Sequence, residues 1–200
     1  MNLGPVGHAC GLRSDDSLWC WGRNDFGQLG LGTDGEPQTT PMQVPGSWSA
    51  VAAGAVHTCA IATDGTLWCW GRAGEGTLGI GPAAEDAIFS TPTAVGTADN
   101  WIEIAAGSGS CGRRQDGSLW CWGPNSNGQL GQGTVDEDAG SNIPLQVGTE
   151  TDWSEPSIWG DTVCGRRGNE LWCWGDNNSG RQGNDTIFIS GQPRQVRNDG

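Results

Sequence analysis

Apolar and polar positions alternate along this chain in short runs broken by glycine-bearing turns, and one such run recurs four times. The copies are Leu18-Trp19-Cys20-Trp21-Gly22, Leu67-Trp68-Cys69-Trp70-Gly71, Leu119-Trp120-Cys121-Trp122-Gly123 and Leu171-Trp172-Cys173-Trp174-Gly175. Alternation with a period of two puts both tryptophans of a copy on one face of a strand and the cysteine on the other. From Trp19 the copies step to Trp68, Trp120 and Trp172 at intervals of 49, 52 and 52 residues. At that period each unit is one supersecondary element that buries its apolar face only against a neighbour.

Turn chemistry fixes the register inside each unit. In the second, the loop Thr63-Asp64-Gly65 places glycine at the left-handed position that ends a type I turn with a bulge, so Ala62 faces Thr66 and Cys59 faces Cys69. The third unit repeats this around Gln115-Asp116-Gly117, which sets Cys111 opposite Cys121. In the first, around Ser14-Asp15-Asp16, Asp16 must take the left-handed place and Cys10 faces Cys20. The fourth has the two-residue turn Gly168-Asn169, so Arg167 pairs with Glu170 and Cys164 still lands opposite Cys173. Facing cysteines at a non-hydrogen-bonded pair approach closely enough for a disulfide. Four cross-strand disulfides are therefore expected, ahead of reduced, packed cysteines. Four zinc sites are disfavoured, because there is no Cys-x-x-Cys and the only histidines are His8 and His57. Disulfides imply an oxidising compartment.

Reading the second unit outward gives an inner strand over 48–54, a second over 57–62, a third over 66–71 and a fourth over 91–95, with fourth-strand equivalents at 40–44, 143–147 and 192–196. Proline is tolerated there on an edge strand. Four short antiparallel strands in about fifty residues is the pattern of a β-propeller blade. The phrases His57-Thr58-Cys59-Ala60, Asp64-Gly65-Thr66-Leu67-Trp68, Trp70-Gly71 and Gly27-Gln28-Leu29-Gly30-Leu31-Gly32 resemble the repeats of the regulator of chromosome condensation family. Asn127-Gly128-Gln129-Leu130-Gly131-Gln132-Gly133 restates the last phrase, and Ser179-Gly180-Arg181-Gln182-Gly183 degrades it. The cysteine-bearing form is similar to the family's secreted bacterial branch.

The fold class expected is all-β: a propeller of four four-stranded blades, near 1–47, 48–100, 101–152 and 153–200, partly incomplete and forming part of a larger ring. The resemblance implies seven blades. Inner strands are recognisable only at Trp48, Trp101 and Trp153; the first is expected to be missing, and Pro156 is expected to interrupt the last. An incomplete arc leaves faces that invite self-association.

The formal net charge is −13, and all ten basic residues are arginine. Nucleic acid is a poor partner, since the arginines are scattered apart from Arg113/Arg114 and Arg166/Arg167. An acidic surface favours solubility or a basic partner. No apolar run reaches the roughly 20 residues of a membrane helix, and no basic region with an apolar signal core follows Met1.

Candidate chemistry is sparse. The Gly-Gln-Leu-Gly-x-Gly loop opens no helix and precedes no lysine, so it reads as tight-turn structure and not as a phosphate cradle. His57 reads as a link between strands, with no nucleophile motif beside it. Asp136-Glu137-Asp138 lacks the spaced ligands of a calcium loop and reads as solvated. The paired tryptophans read as inter-blade core. In the plant ultraviolet receptor of similar fold, chromophore tryptophans precede a histidine-threonine pair; here Ala55-Val56 do.

Insertions between third and fourth strands carry Ile88-Phe89 and Ile187-Phe188-Ile189, and loops on a rigid ring are where binding residues concentrate. The expectation is thus a non-enzymatic extracellular or cell-surface module, without cofactor or metal, that binds an unidentified protein through these five residues. The resemblance also implies two rivals: nucleotide exchange on a small GTPase, and enzyme inhibition like that of a secreted β-lactamase-inhibiting propeller.

Overall fold

In a computed structural model, residues 2–83, 86–136 and 140–196 are described. They form four four-stranded antiparallel sheets, each ordered as its strands occur in the chain. The first comprises β1 (Asn2–Leu3), β2 (His8–Leu12), β3 (Leu18–Asn24) and β4 (Gly35–Val44). The second comprises β5 (Trp48–Ala53), β6 (His57–Ala62), β7 (Leu67–Arg72) and β8 (Ile88–Ala94), with a 3₁₀ turn at Gly74–Gly76. The third comprises β9 (Trp101–Ala106), β10 (Ser110–Arg114), β11 (Leu119–Gly123) and β12 (Ser141–Gln146). The fourth comprises β13 (Trp153–Trp159), β14 (Thr162–Arg167), β15 (Glu170–Gly175) and β16 (Ser190–Gln195). The innermost strands β5, β9 and β13 lie side by side, as in a propeller.

Two expectations about inner strands are corrected. The first is present: β1 pairs Asn2 with Cys10 and Leu3 with Ala9. Backbone pairing needs no tryptophan, which is why the sequence hid it. Pro156 does not break β13, because the register slips between Ser154 and Ser157 while Glu155 adopts φ 50°. A bulge on an edge strand removes the demand for the missing N–H.

Hairpin registers follow turn chemistry. Cys10, Cys59, Cys111 and Cys164 oppose Cys20, Cys69, Cys121 and Cys173. Each pair is bridged, with Cα atoms 4.1–4.2 Å apart, the close spacing of a non-hydrogen-bonded pair. Asp16 takes the left-handed place at φ 61°, as Gly65 and Gly117 do at 84° and 82°.

The core lies between sheets. Cys10, Leu18, Cys20, Leu29 and Val44 of the first sheet pack on Trp48 and Trp70 of the second. Cys59, Leu67, Cys69, Leu78 and Val95 meet Trp101 and Trp122, and Cys111, Leu119, Cys121, Leu130 and Val147 meet Trp153 and Trp174. Within each pair the tryptophan rings tilt with centroids 5.6–6.1 Å apart, the favoured aromatic geometry.

Candidate binding surface

The Gly-x-Leu-Gly-x-Gly loops are the joints between sheets. The indole Nε1 of Trp70 donates to the Gln28 carbonyl at 2.9 Å, Trp122 to Thr77 at 3.0 Å and Trp174 to Gln129 at 3.0 Å. The last glycine of each motif reaches the next sheet's outer strand: Gly32 N donates to Ser90 O, Gly81 N to Asn142 O and Gly133 N to Gly191 O. A Cβ on Gly79 would lie 2.7 Å from the Trp122 Nε1, so the motif is spaced for an indole, not a phosphate.

Two joints carry a buried histidine. His8 Nε2 bonds Thr58 Oγ1 at 2.9 Å, and that hydroxyl donates to Gln28 O at 2.8 Å. His57 Nε2 bonds Ser110 Oγ at 2.8 Å, and Ser110 donates to Thr77 O at 3.2 Å. Burial lowers the pKa of His8 from 6.5 to about 4. Burial, aided by His8, lowers that of His57 to about 3. Both rings are neutral structural links. The third joint has Gly109 and Val163 in these places, and Asp161 substitutes by accepting from Asn127 Nδ2 at 3.0 Å and Gln129 Nε2 at 3.3 Å.

The two arginine pairs are committed to packing. The Arg114 guanidinium sits 4.6 Å and 4.0 Å from the Trp101 and Trp120 rings, and Arg167 sits 5.4 Å and 5.2 Å from Trp153 and Trp172. Arg113 pairs with Glu103 at 2.7 Å and Arg166 with Glu155 at 3.6 Å. A cleft of about 530 Å³ between the second and third sheets is lined by Glu75, Pro124, Asn125, Ser126, Ser141 and Asn142, and Ser141 Oγ donates to Ile143 O at 2.7 Å. Among the described residues no group of three or more His, Cys, Asp or Glu side chains is placed to hold a metal, and no helix is long and apolar enough to cross a membrane. Of the acidic run, Asp136 is exposed, while Glu137 and Asp138 lie outside the described residues.

The five loop candidates do not come together. Phe89 lies in β8 opposite Gly71 and packs, half-buried, on the core between second and third sheets, with Ile88 beside it 42% exposed. Two sheets away, Ile187 and Phe188 are 63% and 76% exposed, and Ile189 is half-buried before β16. Strand register equates Phe89 with Ser190, not with Phe188, since both face the glycine that closes their Trp-Cys-Trp phrase. The Ile187 loop is held from beneath by Asn177, whose Nδ2 donates to Thr186 O at 3.0 Å and Phe188 O at 3.3 Å while its Oδ1 accepts from Gln182 N at 3.0 Å. The residue missed from sequence is Trp159, 71% exposed at the end of β13. Its signal was available: it is the one tryptophan outside the Trp-Cys-Trp phrases and the inner-strand starts.

A family model described as "Regulator of chromosome condensation (RCC1) repeat" matches residues 15–61, 64–112 and 116–157. A second RCC1 repeat model matches 48–77 and 101–129. Among solved structures, human WBSCR16 is similar at 21% identity and TM-score 0.82, over 96% of this chain and 51% of that one. Prp20p from Saccharomyces cerevisiae, in a structure titled with its binding properties to Gsp1p and histones, is similar at 19% identity and TM-score 0.78, over 96% and 49%. The human protein "Probable E3 ubiquitin-protein ligase HERC4" is 49% identical over 35 residues, 18% of this chain and 3% of that protein. The chain spans about half the length of these solved structures.

Proposed function

Because the chain belongs to the regulator of chromosome condensation repeat family, we propose that it is a non-enzymatic protein-binding segment of a larger, seven-bladed propeller that works outside the cell or at its surface. The observation that carries this reading is the Ile187-Phe188 loop, whose apolar tips stand in solvent while buried Asn177 fixes its backbone. Preorganised apolar side chains bind with little ordering cost. Four disulfides support an oxidising site of action. The solved relatives support protein binding as the family's use of this fold, since one is titled for binding to Gsp1p and histones and another is Kap60 bound to yeast RCC1.

The experiment places a benzoylphenylalanine crosslinker at position 188 and, as a control, at position 42 on the outer strand β4. Protein crosslinks from 188 and not from 42 are expected. No crosslink above the control, or accelerated nucleotide release from a small GTPase by the purified chain, overturns the reading, the second in favour of an exchange factor. Intact mass before and after reduction tests the compartment: eight free thiols in the natural protein would remove the extracellular assignment.

A further inference from the structure

We infer that the loop edge of the fourth sheet docks a cationic polypeptide segment with apolar anchors, and that Trp159 and Phe188 are its two apolar contacts. The inference rests on the binding reading above and supplies the chemistry of the partner.

Internal comparison of the repeats isolates Trp159. In every sheet one inner-strand residue pairs with the position two before the first cysteine. In the first three sheets that residue is glycine: Gly4 and Gly54 donate to His8 O and His57 O at 2.9 Å, and Gly107 donates to Gly109 O at 2.8 Å. A Cβ on Gly54 would lie 2.4 Å from the His57 ring, and one on Gly107 2.4 Å from Ile158 Cγ2. In the fourth sheet the position pairs with Thr162 and holds the largest side chain available, left in water. Packing does not require it there. Phe188 departs in the same way, because strand register equates it with Ala87 in the second repeat and Glu36 in the first. Exposed aromatics at places where sister repeats carry small or charged residues mark an interaction surface.

Register also fixes how these residues stand to one another. Trp159, Thr162, Gly175 and Ser190 form one row across the four strands. Three strand spacings separate its ends by about 14 Å. Phe188 precedes Ser190, so both aromatics lie on one edge. Between them stand Asp161 and Asp176, whose backbones are joined by a 3.0 Å bond from Asp176 N to Asp161 O. The Asp161 carboxylate accepts from the neutral amides of Asn127 and Gln129, which do not offset its charge, while the Asp176 carboxylate faces Arg181. Arg181, 3.6 Å from Asp176, is the only basic residue of the 176–189 loop, which also holds Asp185. The edge is acidic within a chain of formal charge −13 that has no lysine. On the Trp159 side it opens into a cavity of about 180 Å³ lined by Leu3, Ala53, Ala106, Pro156 and Ile158.

That order of groups specifies a complement. An extended segment rising about 3.3 Å per residue covers the row in about four residues. Apolar side chains at its ends meet Trp159 and Phe188, and basic side chains between them meet Asp161, whose bonded partners Asn127 and Gln129 are neutral, and compete with Arg181 for Asp176. An arginine or lysine beside Trp159 gains cation–π attraction as well. Anionic partners are repelled by the same carboxylates.

The test titrates the whole chain with three synthetic hexapeptides by calorimetry: leucine at both ends with two arginines between, the same peptide with two glutamates, and the arginine peptide with serine ends. Binding of the first alone is expected, weakening with added salt. Trp159→Gly, which restores the residue of the three sister repeats, and Phe188→Ala should each weaken it roughly tenfold or more without lowering the melting temperature. Equal binding of the glutamate peptide, unchanged affinity in both variants, or no binding of the arginine peptide overturns the inference. If the arginine peptide fails while crosslinks from position 188 persist, binding at this loop stands and the assigned chemistry falls. If both fail, both readings fall.

Discussion

Protonating His57 would place a charge in a fully buried site whose Nε2 already bonds Ser110 across the joint and whose Nδ1 has no partner. In the unfolded chain both histidines titrate near 6.5, whereas the folded values are about 4 for His8 and about 3 for His57. Between those limits the unfolded chain binds more protons, so stability falls as pH drops below 6.5, by about 1.4 kcal/mol per pH unit for each ring. The carboxylates that matter act lower. Hydrogen bonds from Ser17, Thr66 and Ser118 hold Asp15, Asp64 and Asp116 below 3.8, so their stabilisation is complete above 3.8 and is lost only as pH falls through the depressed folded values. Denaturant midpoints should therefore decline between about pH 6.5 and 4, and His57→Gln, which bonds without titrating, should roughly halve the slope. A wild-type midpoint that does not move over this range would refute the assignment. The indoles at the joints allow a second residue-level prediction. Trp122→Phe keeps an aromatic ring but loses the donor to Thr77 O, a carbonyl that Ser110 still satisfies, so about 1–2 kcal/mol is expected from equilibrium unfolding. Trp122→Ala also opens a cavity and should cost about 3–5 kcal/mol.

Three of the four hairpins repeat one small network at the scale of the element. Asp15 Oδ1 accepts from Ser17 N and Oγ at 3.1 and 2.6 Å, and Ser17 Oγ accepts from Trp19 Nε1 at 2.8 Å. Asp64, Thr66 and Trp68 repeat it, as do Asp116, Ser118 and Trp120. The fourth hairpin has Glu170 in place of the hydroxyl, and the buried Trp172 Nε1 is left without a partner. Glu170→Ser should supply the acceptor and raise stability by about 0.5–1.5 kcal/mol in a denaturant titration; a loss would mean that the two-residue turn holds the indole elsewhere. These hairpins were the legible part of the molecule, because turn type and spacing are local: Asp16 in the left-handed place and Arg167 opposite Glu170 both follow from adjacent residues. The joints were legible only in part: the tryptophans announced an inter-blade core and His57 a link between strands, but the His57–Ser110 bond spans 53 residues and no local pattern names that partner. The candidate surface divides in the same way. Phe188 stood out as a rare aromatic in an insertion, whereas Trp159 gains meaning only when register sets it against Gly4, Gly54 and Gly107.

For the whole molecule, the three joints share one plan from which the far face of the fourth sheet departs. Leu29, Leu78 and Leu130 fill the joints beneath the next sheet's indole, but their counterpart is Gln182, which bonds Gly175 O at 2.8 Å within its own sheet. Leu18, Leu67 and Leu119 are fully buried, while Leu171 is 45% exposed. At the opposite end Trp21 is half-buried, where Trp70, Trp122 and Trp174 are enclosed. These 200 residues, taken alone, therefore present two sheet faces of complementary kind, one carrying a disulfide and Leu171, the other an indole. Burying one leucine yields about 1.5–3 kcal/mol, less than the 4–15 kcal/mol or so that association costs in lost freedom, so Leu171 alone cannot drive it. The disulfide and Trp21 must contribute too, and Gln182 works against the contact. The expected result is weak, reversible self-association, seen by sedimentation equilibrium as a mass that climbs with concentration into the micromolar range. Leu171→Glu should abolish the rise by placing a charge at the centre of the face, and Gln182→Leu should strengthen it by restoring the filler of the other three joints. A mass that stays monomeric for the wild type and for Gln182→Leu would mean that the polar socket is not what distinguishes this face, and that the first three joints hold chiefly through covalent continuity of the chain.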